Sequence, residues 1–368
     1  MTELNTSQLI SALSTSHDVP YPVLLPDFFV DHFVLVPTLD EFIENLKALA
    51  KQGGGNLLGN EQFIRRGGNS VNTVSALLSL EIDAKLIATT DEYGKSLLKA
   101  LAPDGLDLTH VHIDGRLSST VSIETAFEGR KVNLMVSDSG SASSFKFSDL
   151  TPKDLELIKN SGLVALVNLN HNKDGAELAH DLFKMIKNST NAITFMDMGD
   201  PSSNPSYIEP LVKKGVSSGN LDILGLNENE VGWLAWALSG HDDRWRKISE
   251  QPKEWIQGAN LISKETGVRI VLHTPHFTST FYEGEMISVP SFQAEPKVTC
   301  GSGDAFNAGL IYGLLHSLEP IDQLVLANAV ASLYISSIDS RPPNKAEVLR
   351  FLKSEPLLST YGKKLLMD

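Results

Sequence analysis

The chain predicts an α/β fold with a mostly parallel central sheet, and three observations predict it. From residue 151 onward, strand-length apolar runs alternate with helix-length segments: strand candidates over 163–169, 192–198, 223–226 and 269–272, with helices over 174–188 and 251–266 among them. Alternation of this kind implies a parallel sheet covered by helices. Near the other end of the chain, an apolar run at 22–36 precedes a Gly67-Gly68 turn that opens a helix, and a glycine-rich loop at 297–304 feeds a long apolar segment. Ligands of such sheets bind beyond the carboxyl ends of the strands. Asp197, Asn227 and the loop 301–304 all stand in that position.

The bulk numbers narrow the class. At 368 residues the chain suits one large domain or two, and 42% hydrophobic with 21% charged residues suits a core of ordinary size. The net charge of −14 disfavours nucleic acid and anionic membrane as partners. The single cysteine, Cys300, excludes an internal disulfide and fits a reducing compartment. No apolar run approaches the ~18 residues of a membrane span, and the N-terminus lacks a basic-then-apolar signal. The expectation is a cytoplasmic protein.

Residues 1–20 are polar with a weak helical pattern at Leu9, Ile10 and Leu13, a short helix or a disordered lead-in; the fold proper starts at 21 and runs to 368. Asp27 and Asp31 interrupt the first apolar run, and carboxylates at the end of a buried strand need partners. A Thr38-x-x-Glu41 capping box begins a helix to Lys51, with Leu39, Phe42, Ile43, Leu46 and Leu49 as its apolar face. Gly67-Gly68-Asn69-Ser70-Val71-Asn72 offers backbone and amide donors to a ligand, or is an Asn-capped glycine turn and nothing more. Residues 118–136 alternate and break at Glu128-Gly129, as a hairpin does. Asn227-Glu228-Asn229-Glu230 follows a strand candidate, and acids in a first helical turn are favourable without any ligand. Trp233 and Trp236 behind it read as core, and His273 and His276 as surface loop histidines.

The stretch 297–315 carries the most chemistry. Gly301 and Gly303 bracket Ser302 where the helix begins, and glycines there let consecutive N–H groups face outward. Those N–H groups have no partner inside the helix, and its dipole adds partial positive charge, so the loop suits an anion, most often a phosphate. Asp304 sits beside that anion, which makes sense for a base that takes a proton from an attacking hydroxyl. An ordinary glycine-capped loop before a buried helix is the plain alternative. Ala305, Gly309 and Gly313 fall four apart; each Gly costs a helix roughly 1 kcal/mol relative to Ala, so another backbone is expected to approach there.

Gly301-Ser302-Gly303-Asp304-Ala-Phe-Asn-Ala-Gly resembles the Gly-Ala-Gly-Asp signature of the ribokinase-like (PfkB) sugar and nucleoside kinases. Gly67-Gly68-x-x-x-Asn72 and Asn227-x-x-Glu230 resemble two further motifs of that family, in the same chain order, and the likeness runs over roughly 22–355. It implies a ribokinase-like three-layer sandwich with a small β lid, whose segments lie near 31–66 and 115–137. It further implies Asp304 as catalytic base, with Gly301, Ser302 and Gly303 as the anion hole for the transferred phosphoryl group. Asp31, Gly67, Gly68, Asn69 and Asn72 would bind the acceptor, and Asn227, Glu230, Thr274 and Asn328 the nucleotide. Asn227 and Glu230 would position hydrated Mg2+, which keeps several waters.

Three places depart from the family. Val298-Thr299-Cys300 replaces the usual Asp-Thr-Thr, helix 38–51 looks like an insertion, and His273-Thr-Pro-His-Phe-Thr-Ser replaces a glycine-bearing loop. In that loop Thr274, Thr278 and Ser279 remain as donors to phosphate or ribose. The expected activity is transfer of the γ-phosphoryl group of ATP to a hydroxyl of a sugar or nucleoside. ADP as donor, or a non-catalytic sugar- and nucleotide-binding pseudokinase, are the alternatives. A phosphorylated acceptor needs Arg or Lys nearby; Arg65, Arg66, Arg116, Arg130 and Lys131 are candidates, but an uncharged acceptor is preferred. Lids of the family often pair between subunits, so a homodimer is expected.

Overall fold

The apolar runs of the second half form strands in the computed structural model, which describes residues 6–15, 18–248, 251–297, 300–337, 339 and 341–367. One eight-stranded sheet has the order Glu285–Pro290, Phe277–Tyr282, Arg269–His273, Ile223–Leu226, Ile193–Asp197, Leu163–Val167, Pro22–Leu25, Lys85–Leu86. Its six strands from Arg269–His273 onward are parallel. Pro22–Leu25 and Leu163–Val167 are buried at every position, as strands covered on both faces must be. The helices Gly175–Ser189, Ile208–Lys214, Glu228–Leu238 and Pro252–Thr266 cover one face. Asn69–Ser79, Ser302–Leu315, Pro320–Ile335 and Lys345–Lys353 cover the other, with the N-terminal helix Ser7–Ser14 burying Leu9 and Leu13 among them. This is the expected three-layer arrangement.

The two remaining strands are an antiparallel edge. They pair through a turn at Glu283 and Gly284, whose φ values of 51° and 83° suit a tight hairpin.

Pro22–Leu25 lies between Lys85–Leu86 and Leu163–Val167, and the chain winds outward from it in both directions. The gap between Pro22–Leu25 and Leu163–Val167 is therefore the topological switch point, where the strand ends leave a crevice.

A second sheet of four strands stands apart, in the order Gln62–Gly67, Phe29–Leu35, Ser118–Phe127, Arg130–Asp138. Its hairpin turns at Glu128 and Gly129, with φ of 48° and 75°, where the alternation breaks. Phe29–Leu35 begins four residues after the central strand ends, so the chain passes directly from one sheet to the other. The helix Leu39–Lys51 forms, but Thr38 makes no side-chain capping bond and the expected capping box is absent. Thr38 and Glu41 are exposed, so water can satisfy the first N–H groups. Its apolar face does not enter a core: Ile43 and Leu46 are 38% and 44% exposed.

The glycine stripe has the cause its spacing implied. A Cβ on Gly309 would stand 2.7 Å from the Ala327 Cα, and one on Gly313 2.9 Å from Gln323 Cγ. The helices Ser302–Leu315 and Pro320–Ile335 thus meet backbone to backbone, and this contact sets the direction in which the 301–304 loop points.

Candidate active site

At the switch point, Asp27 gathers three segments. Its Oδ2 accepts from Asn69 N at 3.0 Å and from Asn168 Nδ2 at 2.7 Å; its Oδ1 accepts from Ser70 N at 2.8 Å and Ser70 Oγ at 2.5 Å. The carboxylate is 1% exposed and meets the demand that a buried charge be hydrogen-bonded. Asn168 directly follows the strand Leu163–Val167 and has φ 57°, a conformation Asn tolerates better than most side chains. The Gly67-Gly68 turn is pressed against the chain opposite. A Cβ on Gly67 would stand 2.2 Å from an Asp31 carboxylate oxygen, and Gly68, with φ 94°, lies 3.0 Å by the same measure from the Phe28 Cα. No larger residue fits either place. Burial, then the neighbouring Asp27, pushes the Asp31 carboxyl up to about 6, while a Thr120 hydrogen bond opposes this.

The helix opened by that turn carries Asn72, whose Nδ2 donates to Asp304 Oδ2 at 3.0 Å. Asp304 is 5% exposed in the first turn of Ser302–Leu315. Burial raises its pKa well above the usual carboxylate range; the Asn72 hydrogen bond opposes the rise, and Asp197, Asp27 and Asp31 add to it. Gly301 takes φ 84°, and a Cβ there would stand 2.5 Å from Tyr334 Oη. Tyr334 donates to Cys300 O at 3.0 Å, and Lys297 N donates to Ile335 O at 2.7 Å. The end of helix Pro320–Ile335 thereby holds the loop from both sides. Val298 and Thr299, where the family pattern is broken, lie outside the described residues; Cys300 is exposed.

Three adjacent strand ends underlie the loop. After Ile193–Asp197, the Asp197 carboxylate accepts from Asn307 Nδ2 at 2.6 Å. After Ile223–Leu226, Asn227 and Glu230 close a full capping box: Asn227 Oδ1 accepts from Asn229 N and Glu230 N, and Glu230 Oε2 accepts from Asn227 N. Glu230 is 2% exposed. Its carboxyl is pushed well up by burial, and then by Asp197, Asp200 and Glu228 around it. Added positive charge is favourable among these carboxylates. No cluster of three or more His, Cys, Asp or Glu able to hold a metal directly exists among the described residues. The donor set thus suits Mg2+ held through its own waters, with few carboxylates and with phosphates, better than an all-protein cage.

Several of these residues have partners of their own within the fold. The Thr274 hydroxyl donates to Phe277 O at 2.7 Å and accepts from His276 N and Phe277 N, so it is occupied inside its own turn. Asn328 donates to Thr278 Oγ1 at 3.1 Å and is 4% exposed, a core contact between helix and edge strand. Ser279 pairs with Ser288. His276 does lie in a loop, the turn between Arg269–His273 and Phe277–Tyr282, whereas His273 ends its strand. His273 stacks on Phe306, with ring centroids 4.9 Å apart, and His276 packs against Tyr361 and Trp255. Trp233 is core, 4% exposed. Arg66 is half-buried, and Asp304 and Tyr334 are among the charges that act on it, whereas Arg116 forks onto Asp138 at the surface. Asn168 and Tyr334 escaped the sequence reading; an Asn just past a buried strand was the one local sign of the first, and nothing local marked the second.

The chain resembles known proteins along nearly its whole length. Ribokinase of Haemophilus influenzae is 23% identical over 307 residues, 82% of this chain and 91% of that one. The structure of Arabidopsis thaliana ribokinase complexed with ribose and ATP superposes with a TM-score of 0.71 at 20% identity, covering 91% of this chain and 99% of that one. Fructokinase of Xylella fastidiosa with bound ATP superposes at 0.68 and 14% identity, covering 91% and 98%. These superpositions bear out the three-layer fold. With a glycine turn, a glycine-rich loop and a buried aspartate at the strand ends, and with the pattern of the pfkB family carbohydrate kinases matching residues 35–347, the chain belongs to that family.

Proposed function

We propose that the protein transfers the γ-phosphoryl group of ATP to a hydroxyl of a sugar or nucleoside, with Asp304 as the base. The observation that carries this is the placement of Asp304: buried at a helix N-terminus, held by Asn72 from the glycine turn, and level with the strand ends that bear Asn227 and Glu230. The acceptor lies against Asp31, Gly67, Gly68, Asn69 and Asn72, and its hydroxyl faces the Asp304 carboxylate. The N–H groups of Gly301–Asp304 stabilise charge on the transferred group, where losing one such donor can cost about 3 kcal/mol. Asn227 and Glu230 would hold Mg2+ through its waters, and the ion would supply charge neutralisation at the phosphates. Phosphoryl transfer asks mainly for positioning and electrostatics, so Asp304 need take the proton only late. Ribokinase and fructokinase structures of this fold hold ATP, and one ribokinase holds ADP, the product such a transfer leaves; this supports ATP as donor.

The four-stranded sheet acts as a lid over the acceptor, since it carries Asp31 and Gly67 on its inner rim. Its outer strand Arg130–Asp138, with Met135 and Val136 54% and 67% exposed, would pair with a second copy in a cytoplasmic homodimer. Steady-state turnover on a panel of sugars, sugar phosphates and nucleosides, with ATP and ADP in parallel, tests the reaction. Turnover with an uncharged sugar or nucleoside and ATP is expected; absence of turnover with every acceptor would leave a binding protein.

A further inference from the structure

We propose that His273 is a phosphate ligand of the donor subsite, its imidazole N–H donating to a nucleotide phosphate oxygen held over the 301–304 loop. The proposal rests on the kinase reading and adds to it a residue from the segment that departs most from the family. His273 ends the strand Arg269–His273, next in the sheet to Ile223–Leu226 and Asn227. Its ring lies flat under the loop: it stacks on Phe306, and Cε1 stands 3.6 Å from where a Cβ on Gly303 would be. Apart from the chain neighbours Ser302 and Asp304, no other side chain among the described residues comes within 4 Å of that point, so the ring lies against the second glycine of the loop.

The other hydroxyls of this segment are taken. Thr274 is occupied in its turn, Thr278 accepts from Asn328, and Ser279 pairs with Ser288. Nε2 of His273 alone has no partner, although it is buried. Buried polar atoms are seldom left unpaired in native proteins, and an orphan calls for an explanation. Turning the ring by 180° about Cβ–Cγ exchanges Nε2 with Cε1, keeps the stack on Phe306, and brings the nitrogen to the Gly303 side. That torsion is broad and two-fold, and the two orientations are told apart only by the hydrogen bonds they make. A phosphate on the loop supplies the missing bond. Burial holds the imidazole neutral, against the pull of Asp197 and Glu228, so it carries one N–H to give. A side chain thus supplies at this strand end a donor toward the phosphate.

The test compares His273→Phe, which keeps the stack and loses the N–H, with His273→Gln, which keeps a donor. Binding of ATP, ADP and adenosine is measured by titration calorimetry on the full chain, beside the acceptor KM and the melting temperature. The Phe variant is expected to bind ATP and ADP roughly ten- to a hundredfold more weakly, the worth of a hydrogen bond to a charged group. Adenosine affinity and acceptor KM should hold, and the Gln variant should recover part of the loss. In 15N spectra of the wild-type chain, the His273 Nε2 signal should move with ADP and not with adenosine, a readout that survives if the variants fold poorly. Equal ATP affinity in a folded Phe variant, or a signal that ADP leaves in place, overturns the proposal while the kinase reading stands. A wild-type chain that binds no nucleotide overturns both.

Discussion

The two halves of the crevice differ in how their carboxylates are held: on the side of Asp304 that faces the Gly67-Gly68 turn, Asp27 is ringed by hydrogen bonds, and on the side that faces His273 and Glu230, carboxylates repel one another. Asp27 accepts four bonds from the turn and from Asn168, and Asn72 reaches Asp304 itself. Across the loop, His273 Nε2 and Asn307 Oδ1 are buried with no partner among the described residues, and Glu230 lies among carboxylates that push its pKa up. On the first side Arg66 Nε, Thr73 Oγ1 and Asn170 Oδ1 are likewise buried without a partner, so the contrast lies in the carboxylates. The difference teaches that folding alone satisfies Asp27, while Glu230 is left among negative charges. On the proposed reading, a cation brought by the nucleotide would offset that charge. Unpaired buried groups cost stability, so a protein keeps them where a ligand makes up the loss.

The largest expected effect lies at the boundary between the halves. Asp304→Asn should lower turnover by roughly 10²–10⁴-fold, the range of general acid–base catalysis, with the melting temperature unchanged or higher. A folded variant with near-wild-type turnover would remove Asp304 as the base. Next comes a contrast between one carboxylate of each half. Asp27→Ala leaves the turn N–H groups and the Asn168 amide unpaired and should cost about 3 kcal/mol or more, read as a lowered urea midpoint. Glu230→Gln should cost no stability and should raise the Mg2+ concentration for half-maximal rate roughly tenfold. The sign follows from its raised folded pKa. Burying the charged form is a cost that is absent at pH values below the unfolded pKa and grows as pH rises toward the folded one. The Gln variant should therefore match wild type near pH 4 and equal or exceed it at pH 7. If the two variants lose stability alike, the halves do not differ as described.

A smaller effect concerns pH. The Asn72 hydrogen bond favours the ionised Asp304, and the base works only above its own pKa. Asn72→Leu should move the acid limb of kcat/KM to higher pH while leaving chain stability nearly intact; an unmoved limb would detach Asn72 from the base. Smallest of all, Leu46→Glu on the open face of Leu39–Lys51 should change stability by no more than about 0.5 kcal/mol. A large loss there would mean that this face is covered, and light scattering on the same sample would show whether a second copy covers it.

Much of the molecule follows from local pattern. Buried strands read as continuous apolar runs, the hairpin at Glu128-Gly129 broke where two positive-φ residues fall, and the spacing of Gly309 and Gly313 announced a close helix. The glycine turn, the 301–304 loop and the Asn227–Glu230 box were legible for the same reason, since each is a short-range arrangement whose backbone demands particular residues. The expected capping box at Thr38 failed because an exposed helix start has water as an alternative. What the sequence did not contain is which distant groups meet. Asp27 and Asn168 are 141 residues apart, Asp197 and Asn307 110, and Asn72 and Asp304 232. The sequence by itself determined the layers, the turns and the candidate chemistry, because those follow from periodicity and backbone conformation. Only the tertiary structure decided that Thr274 is spent in its own turn, that Tyr334 clamps the loop, and that His273 lies under Gly303. Those outcomes depend on strand order and helix packing, which set long-range distances that no local pattern encodes.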